Sequence, residues 1–193
     1  QPLNSRIPQP SIKKWQPKSC SSQVGASIAR AHYSKPRANY KIGANSGIGY
    51  ATSKVIASAS KEFHVIMAAR SLDKVNTAKS EIEAAGVQGQ LSTLQLDITD
   101  QASIDQAVTF VEATFRHLDV LVSNAGISGL VFPDSRARFQ AVMDTNVIGT
   151  AAAATAFRPL LLKSSKAYSI YVSSGLGSMT LATDASFPWY KGM

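Results

Sequence analysis

From residue 42 onward, the sequence predicts an α/β domain built on a doubly wound parallel sheet. Short apolar runs alternate there with stretches of helical periodicity, which is the pattern of successive βα units. A glycine-rich turn precedes the first helix, and polar residues follow three of the predicted strands. In a parallel sheet these features gather at the carboxyl ends of the strands, where ligands bind. We expect a single domain.

The segment before this domain has a different composition. Residues 1–41 hold eight Lys and Arg residues, five prolines and no Asp or Glu, without a helical or alternating apolar period. We expect an extended or disordered basic arm. An organelle transit peptide and an imperfectly defined reading frame are the alternatives. The first strand would have to come from residues 34–41, whose proline and three cations suit a central strand poorly.

Two further βα units follow the first helix, which is expected over residues 48–56. Phe63–Ala69 is a short apolar run typical of a buried strand, and residues 71–85 form a polar helix with a capping residue near its start. Residues 90–96 give the third strand. After a cap at residues 99–100, apolar residues recur at three- and four-residue spacing, so one side of the next helix faces the core. This stripe consists of Ile104, Ala107, Val108, Val111 and Phe115.

Two more strands and a long helix complete the predicted sheet. The strands are expected at residues 119–122 and 169–172, and the helix between them at residues 139–162. Small residues fill the middle of this helix and permit the close approach of another backbone. Pro159 should kink or end it. We expect the residues after the fifth strand to form a loop.

Charge and composition exclude several classes of function. The formal net charge is +8, but residues 42–193 hold twelve basic and twelve acidic residues, so we expect no nucleic-acid partner. Cys20 is the only cysteine, which favours a reduced, cytoplasmic setting. No apolar stretch reaches the roughly 20 residues that cross a bilayer, so no membrane association is expected. The three histidines lie too far apart for a local zinc motif, and we expect no metal.

The glycine-rich turn is the first candidate binding motif. It reads Gly43-Ala44-Asn45-Ser46-Gly47-Ile48-Gly49 and opens the first helix. Glycines at this spacing permit a tight turn and let a pyrophosphate approach the free N–H groups and the positive end of the helix. A helix-initiating loop without a ligand is the alternative. The residues that follow at the expected distances favour a ligand.

Arg70 ends the second predicted strand, about twenty residues after Gly49. Dinucleotide-binding folds place at this point either a carboxylate for the ribose 2′-hydroxyl or a basic group for a 2′-phosphate. No acidic residue stands here before Asp73. The sequence therefore favours NADP over NAD, with a solvated arginine as the alternative.

Polar residues also follow the other strands. Asp97, Asn124 and the pair Ser173 and Ser174 each stand where a predicted strand ends. Because the carboxyl ends of parallel strands form one crevice, we expect these residues to share a site. Each taken singly would be an ordinary turn or helix-capping residue.

Taken in order, these motifs resemble those of the short-chain dehydrogenase/reductase family over about residues 42–190. Two motifs carry one substitution each: Ile42 replaces the Thr before the glycine motif, and Ser123 replaces the first Asn of N-N-A-G. The five matches are residues 43–49 for T-G-x-x-x-G-x-G, 96–98 for the adenine segment, 124–126 for N-N-A-G, Asn146 for the helix Asn and Ser174 for the Ser after strand five.

The resemblance implies a Rossmann-type fold with strand order 3-2-1-4-5 and hydride transfer between NADP(H) and a small carbonyl or alcohol. It assigns catalytic roles to Asn146 and Ser174, and it implies a possible homo-oligomer through the helix at residues 139–162. The implied cofactor-binding residues are Gly43, Ser46, Gly47, Ile48 and Gly49 for the pyrophosphate, Arg70 for the 2′-phosphate, Asp97 and Ile98 for the adenine, and Asn124, Ala125 and Gly126 for the nicotinamide-side ribose.

The family's proton donor is a Tyr, and a Lys one helical turn later lowers its pKa. This Y-x-x-x-K motif should follow Ser174 by a dozen or more residues, and residues 175–193 do not contain it. Tyr190 and Lys191 cannot replace it, because adjacent residues do not share a helix face. We therefore expect the chain to be truncated and inactive. A non-catalytic nucleotide-binding module and a truncated, non-functional product are the alternatives.

Overall fold

A parallel sheet with helices on both faces forms the centre of the molecule. The computed structural model describes residues 37–42, 44–128, 134–184 and 186, all within the compact unit Lys35–Met193. The described strands run in the order β3-β2-β1-β4-β5, as predicted, and all are parallel. They are β1 (Arg37–Ile42), β2 (Phe63–Ala69), β3 (Gln90–Gln95), β4 (Val120–Ser123) and β5 (Tyr168–Tyr171).

Strand β1 lies in the middle of the sheet, although its sequence suits that place poorly. It pairs with β2 along its whole length and with β4 over its last four residues. Pro36 precedes the first paired residue, so no hydrogen-bond donor is lost inside the strand. Residues 37–41 of the predicted arm thus belong to the sheet. The remainder of the arm, 1–36, lies outside the described residues.

The helices cover the two faces of the sheet and bury two apolar cores. Strand β2 is buried on both sides: Ile66 and Ala68 lie in one core and Val65 and Met67 in the other. The first core receives side chains from α3 and α5, the second from α1 and α2. The helices are α1 (Gly47–Ala59), α2 (Leu72–Ala84), α3 (Gln101–Phe115), α4 (Ser135–Val142), a π-helical turn (Met143–Gly149), α5 (Thr150–Leu161) and α6 (Met179–Thr183).

The long helix differs from its prediction over residues 139–162. It begins earlier, where the Asp134 carboxylate accepts a hydrogen bond from the Ala137 N–H at 2.9 Å, and a π-helical turn interrupts it. Pro159 does not end the helix, which continues to Leu161. The Leu162 N–H still donates to the Arg158 carbonyl at 3.0 Å. The two strands on either side of this helix, β4 and β5, each begin and end one residue away from their predicted bounds.

The residues after β5 were predicted to form a loop, and this prediction is wrong in part. A 3₁₀ turn spans Gly175–Gly177, and α6 follows over Met179–Thr183. Ser178 caps α6, since its hydroxyl accepts a hydrogen bond from the Leu181 N–H at 3.3 Å. A single turn of helix carries too few apolar positions to show a period in the sequence, which explains the error.

We expect His64 to make the stability of the fold depend on pH. Its ring is half-buried, lies 2.7 Å from the Ser92 hydroxyl and packs edge-to-face against Phe115. Burial lowers the pKa of His64, and a weaker opposing effect comes from a hydrogen bond with Gln90. The folded chain therefore holds this ring neutral at pH values where the unfolded chain, with a histidine pKa of about 6.5, takes up a proton.

We expect the free energy of unfolding to decrease as the pH falls below about 6.5, until the folded-state pKa is passed. Urea unfolding of the wild type and His64→Gln from pH 8 to pH 5 measures this, and the wild type should lose stability more steeply. At pH 8 histidine is neutral in both states, so the difference there reports packing alone. Parallel curves over the whole range would contradict the expectation.

Candidate functional site

The carboxyl ends of the strands meet at one edge of the sheet. Ile42 of β1 is in register with Ala68 of β2 and with Ser123 of β4, which in turn is in register with Tyr171 of β5. Hydrogen bonds continue this alignment past the strand ends: the Leu96 N–H donates to the Ala69 carbonyl at 3.0 Å and the Val172 N–H to the Ser123 carbonyl at 2.9 Å. The segments after the strands therefore border one crevice, at the point where the strand order reverses.

The glycine-rich turn lies at this edge. Helix α1 begins at Gly47, whose φ of 54° is in the left-handed region that glycine adopts without strain. A Cβ built at Gly47 would meet no atom within 4 Å. Ser46, Gly47 and Ile48 are exposed, whereas Gly49 is buried. Gly43 lies outside the described residues. The first turn of α1 thus presents backbone groups to solvent beside the crevice, as an anion site requires.

Arg70 immediately follows β2 at the same edge and is exposed. Its carbonyl accepts a hydrogen bond from the Gln95 side-chain amide at 3.1 Å, which ties the ends of β2 and β3 together. Ser71 then caps α2 by accepting from the Lys74 N–H at 3.4 Å. The structure therefore fixes the backbone at Arg70 and leaves its cationic side chain at the surface.

Asp97 and Ile98 form the turn after β3. One Asp97 carboxylate oxygen accepts from the Thr99 N–H at 2.9 Å and from the Thr99 hydroxyl at 2.7 Å, and the Asp97 N–H donates to the Ser103 hydroxyl at 2.9 Å. These bonds hold the turn rigid. The Ile98 side chain is buried in the first core. Any contact between Ile98 and an adenine would have to come from its backbone.

Asn146 lies in the π-helical turn and forms two hydrogen bonds with the loop after β4. Its amide nitrogen donates to the Ile127 carbonyl at 2.9 Å, and its amide oxygen accepts from the Ile127 N–H at 2.8 Å. Gly126 lies so close that an added Cβ would be 3.4 Å from this oxygen. Asn124 and Ala125 are half-buried in the same loop. The structure thus joins two of the sequence motifs in what we call the Asn146–Ile127 clamp.

The sequence reasoning missed Ile127 as a functional residue. It contributes only backbone atoms to the clamp, so no side-chain pattern marks it. Its position directly after Asn124, Ala125 and Gly126 is the signal that could have found it.

Ser173 and Ser174 follow β5 and are exposed at the crevice edge. The Ser174 carbonyl accepts a hydrogen bond from the Gly177 N–H at 3.0 Å, which closes the 3₁₀ turn. The turn holds Ser174 next to the strand end.

Two shallow depressions are lined by residues outside the sequence motifs. One of about 460 Å³ is lined by Arg136, Phe139, Gln140 and Met143. The other, of about 430 Å³, is lined by Glu112, Ala113, Arg116 and Lys163. Within the described part of the chain, no group of three His, Cys, Asp or Glu residues is placed to hold a metal ion. None of the helices described there combines the length and apolarity that a membrane span needs.

The strand order and the helices on both faces of the sheet define a Rossmann-type α/β fold. Residues 40–188 match the family model described as short chain dehydrogenase. The chain therefore belongs to the short-chain dehydrogenase/reductase family of oxidoreductases, whose members bind NAD or NADP.

Known relatives support this assignment. The chain is 37% identical over 145 residues to the short-chain dehydrogenase anuI of Penicillium roqueforti, a match covering 72% of this chain and 56% of that protein. A metagenomic short-chain oxidoreductase solved in complex with NADP is similar in structure, with a TM-score of 0.64, 27% identity and coverage of 72% and 63% of the two chains. A menthone neomenthol reductase from Mentha piperita, 24% identical, shares the fold with a TM-score of 0.67 over 81% of this chain and 70% of its own. The chain spans little more than half the length of the curated relative.

Proposed function

We propose that this chain binds NADP(H) in the crevice and belongs to an oxidoreductase that acts on a carbonyl or alcohol. Arg70 is the residue that favours NADP over NAD. It is exposed at the end of β2, where the family fold brings the adenine ribose, and no Asp or Glu lies between Arg70 and Asp73. A guanidinium binds a phosphate through paired, charge-assisted hydrogen bonds, whereas an NAD-specific site needs a carboxylate at this point.

The residues around α1 suit the rest of the dinucleotide. The open space over Gly47 gives a pyrophosphate room to approach the backbone, and the positive end of the 13-residue helix α1 favours its charge. Asp97 would hydrogen-bond the adenine, Ile98 would contact it through its backbone, and the loop of Asn124, Ala125 and Gly126 would border the nicotinamide-side ribose. When bound, NADP(H) would supply or accept the hydride.

Asn146 and Ser174 are the catalytic residues that the family pattern assigns to this chain. The clamp occupies both polar atoms of the Asn146 side chain, so Asn146 would act by holding the crevice loop in place. The exposed Ser174 hydroxyl would hold the substrate oxygen by a hydrogen bond. The small substrate would then lie beyond the carboxyl ends of β4 and β5, beside the nicotinamide.

A non-catalytic nucleotide-binding module is the second candidate, and it would also bind NADPH without turnover. Residues 175–193 of this polypeptide hold no Tyr-x-x-x-Lys motif. We expect the 193-residue polypeptide to bind NADPH but to leave its absorbance at 340 nm unchanged over a panel of aldehydes and ketones. Consumption of NADPH that depends on a carbonyl would contradict this expectation and reveal a different proton donor. Failure to bind NADPH would contradict the proposed function itself.

The helix over 135–161 also offers a surface for a homo-oligomer. Phe139, Met143 and Val147 are 68%, 47% and 50% exposed and follow one another at helical spacing. We propose self-association through this row, because exposed apolar rows of this kind mark contact surfaces. The cytoplasmic setting expected from the single cysteine stays a prediction.

A further inference from the structure

Gly149 ends the π-helical turn at a point where no side chain fits. A Cβ built there would lie 2.6 Å from the Ile98 carbonyl oxygen and 2.8 Å from the Asp144 carbonyl oxygen. Both are backbone atoms, which cannot turn aside as the end of a long side chain can. The φ of Gly149 is −62°, an ordinary helical value. Glycine is therefore required at this position by close approach and not by backbone conformation.

The π-helical turn connects two borders of the crevice. On one side, Gly149 lies against the Ile98 carbonyl, in the turn after β3. On the other side, Asn146 forms the clamp with Ile127, in the loop after β4. The Thr150 hydroxyl supports the turn by donating to the Thr145 carbonyl at 3.2 Å. The turn thus contacts Ile98 at one end and Ile127 through Asn146.

We propose that Gly149 is a positioning residue: by lacking a side chain, it seats the π-helical turn against Ile98 and so aims Asn146 at Ile127. A larger residue would push the turn away or convert it to α-helix. Losing the extra residue of a π turn rotates the preceding residues by about 100°. That rotation would carry Asn146 off Ile127. The consequence for the cofactor rests on the proposed function, whereas the clamp is a property of the chain alone.

Hydrogen–deuterium exchange of the Ile127 amide tests this proposal in the 193-residue chain without cofactor. In Gly149→Ala, we expect this amide to exchange about tenfold faster than in the wild type, because its hydrogen bond to Asn146 is lost. Gly89→Ala is the matched control. It places a Cβ 2.7 Å from the Phe63 carbonyl oxygen at the opposite edge of the sheet. It should lower overall stability and leave exchange at Ile127 as in the wild type.

A double variant separates positioning from a general loss of stability. Asn146→Ala should already free the Ile127 amide, so adding Gly149→Ala should not accelerate its exchange further. Wild-type exchange at Ile127 in Gly149→Ala, or the same acceleration in Gly89→Ala, would overturn the proposal. If Gly149→Ala does not fold, Thr150→Val carries the test, because it loosens the same turn without adding bulk, and unchanged exchange at Ile127 would overturn the proposal. A wild-type chain that shows the clamp but binds no NADPH would contradict the proposed function alone.

Discussion

Replacing Gly47 by aspartate is expected to weaken NADPH binding about 100-fold or more. The new carboxylate would stand at the first residue of α1, where the pyrophosphate is expected to bind. It would repel the phosphates and occupy the positive end of the helix itself. The enhancement of NADPH fluorescence on binding measures the dissociation constant.

Gly47→Asn is the matched control for this change. Asparagine has nearly the same shape as aspartate and tolerates the left-handed φ of 54° equally well, but it carries no charge. We expect it to bind NADPH far better than Gly47→Asp. Wild-type affinity in Gly47→Asp would show that the phosphates do not bind at the start of α1.

Arg70→Glu is expected to reverse the choice of cofactor. Charge-assisted hydrogen bonds to a phosphate contribute about 1.5–3 kcal/mol, and a carboxylate in their place adds repulsion. We therefore expect NADPH to bind about 100-fold more weakly, while NADH binds at least as well as to the wild type, since glutamate can accept a hydrogen bond from the ribose 2′-hydroxyl. Parallel titrations with the two cofactors measure the ratio of their affinities.

The control for Arg70→Glu is Arg158→Glu, which changes the net charge equally. Arg158 is exposed in the last turn of α5, at the amino edge of the sheet and away from the crevice. The Arg158→Glu substitution should leave the ratio of NADPH to NADH affinity as it is in the wild type. An equal effect of both substitutions would mean that the overall charge, and not a 2′-phosphate contact, favours NADPH.

Much of this fold could be predicted because local patterns and tertiary structure agree. The run Phe63–Ala69 is apolar apart from His64 and became a strand buried on both faces. The stripe from Ile104 to Val111 faces the core, and Asp100 caps its helix, with the Ala102 N–H donating at 3.1 Å. In each case the spacing of the apolar residues suits both the local secondary structure and the packing of the core.

Other features depend on partners that are distant in sequence. Strand β1 exists because β2 and β4 offer backbone pairing on both sides, which the proline before it and its own cations do not reveal. The π-helical turn follows from the approach of Gly149 to Ile98, about fifty residues earlier in the chain. The clamp on Ile127 uses backbone atoms, which look the same in every residue. Motif matching found Asn146 and could not show what it holds.

Thermal melting with NADPH, with NADH and without cofactor tests the central claim, that this crevice is an NADP(H) site, most directly. We expect a cooperative melt that NADPH at about 100 times its dissociation constant raises by about 5 °C, with a smaller shift for NADH at the same concentration. A cooperative melt that neither cofactor shifts would contradict the claim. The absence of any cooperative melt would contradict it too, because the polypeptide would then not fold around the cofactor.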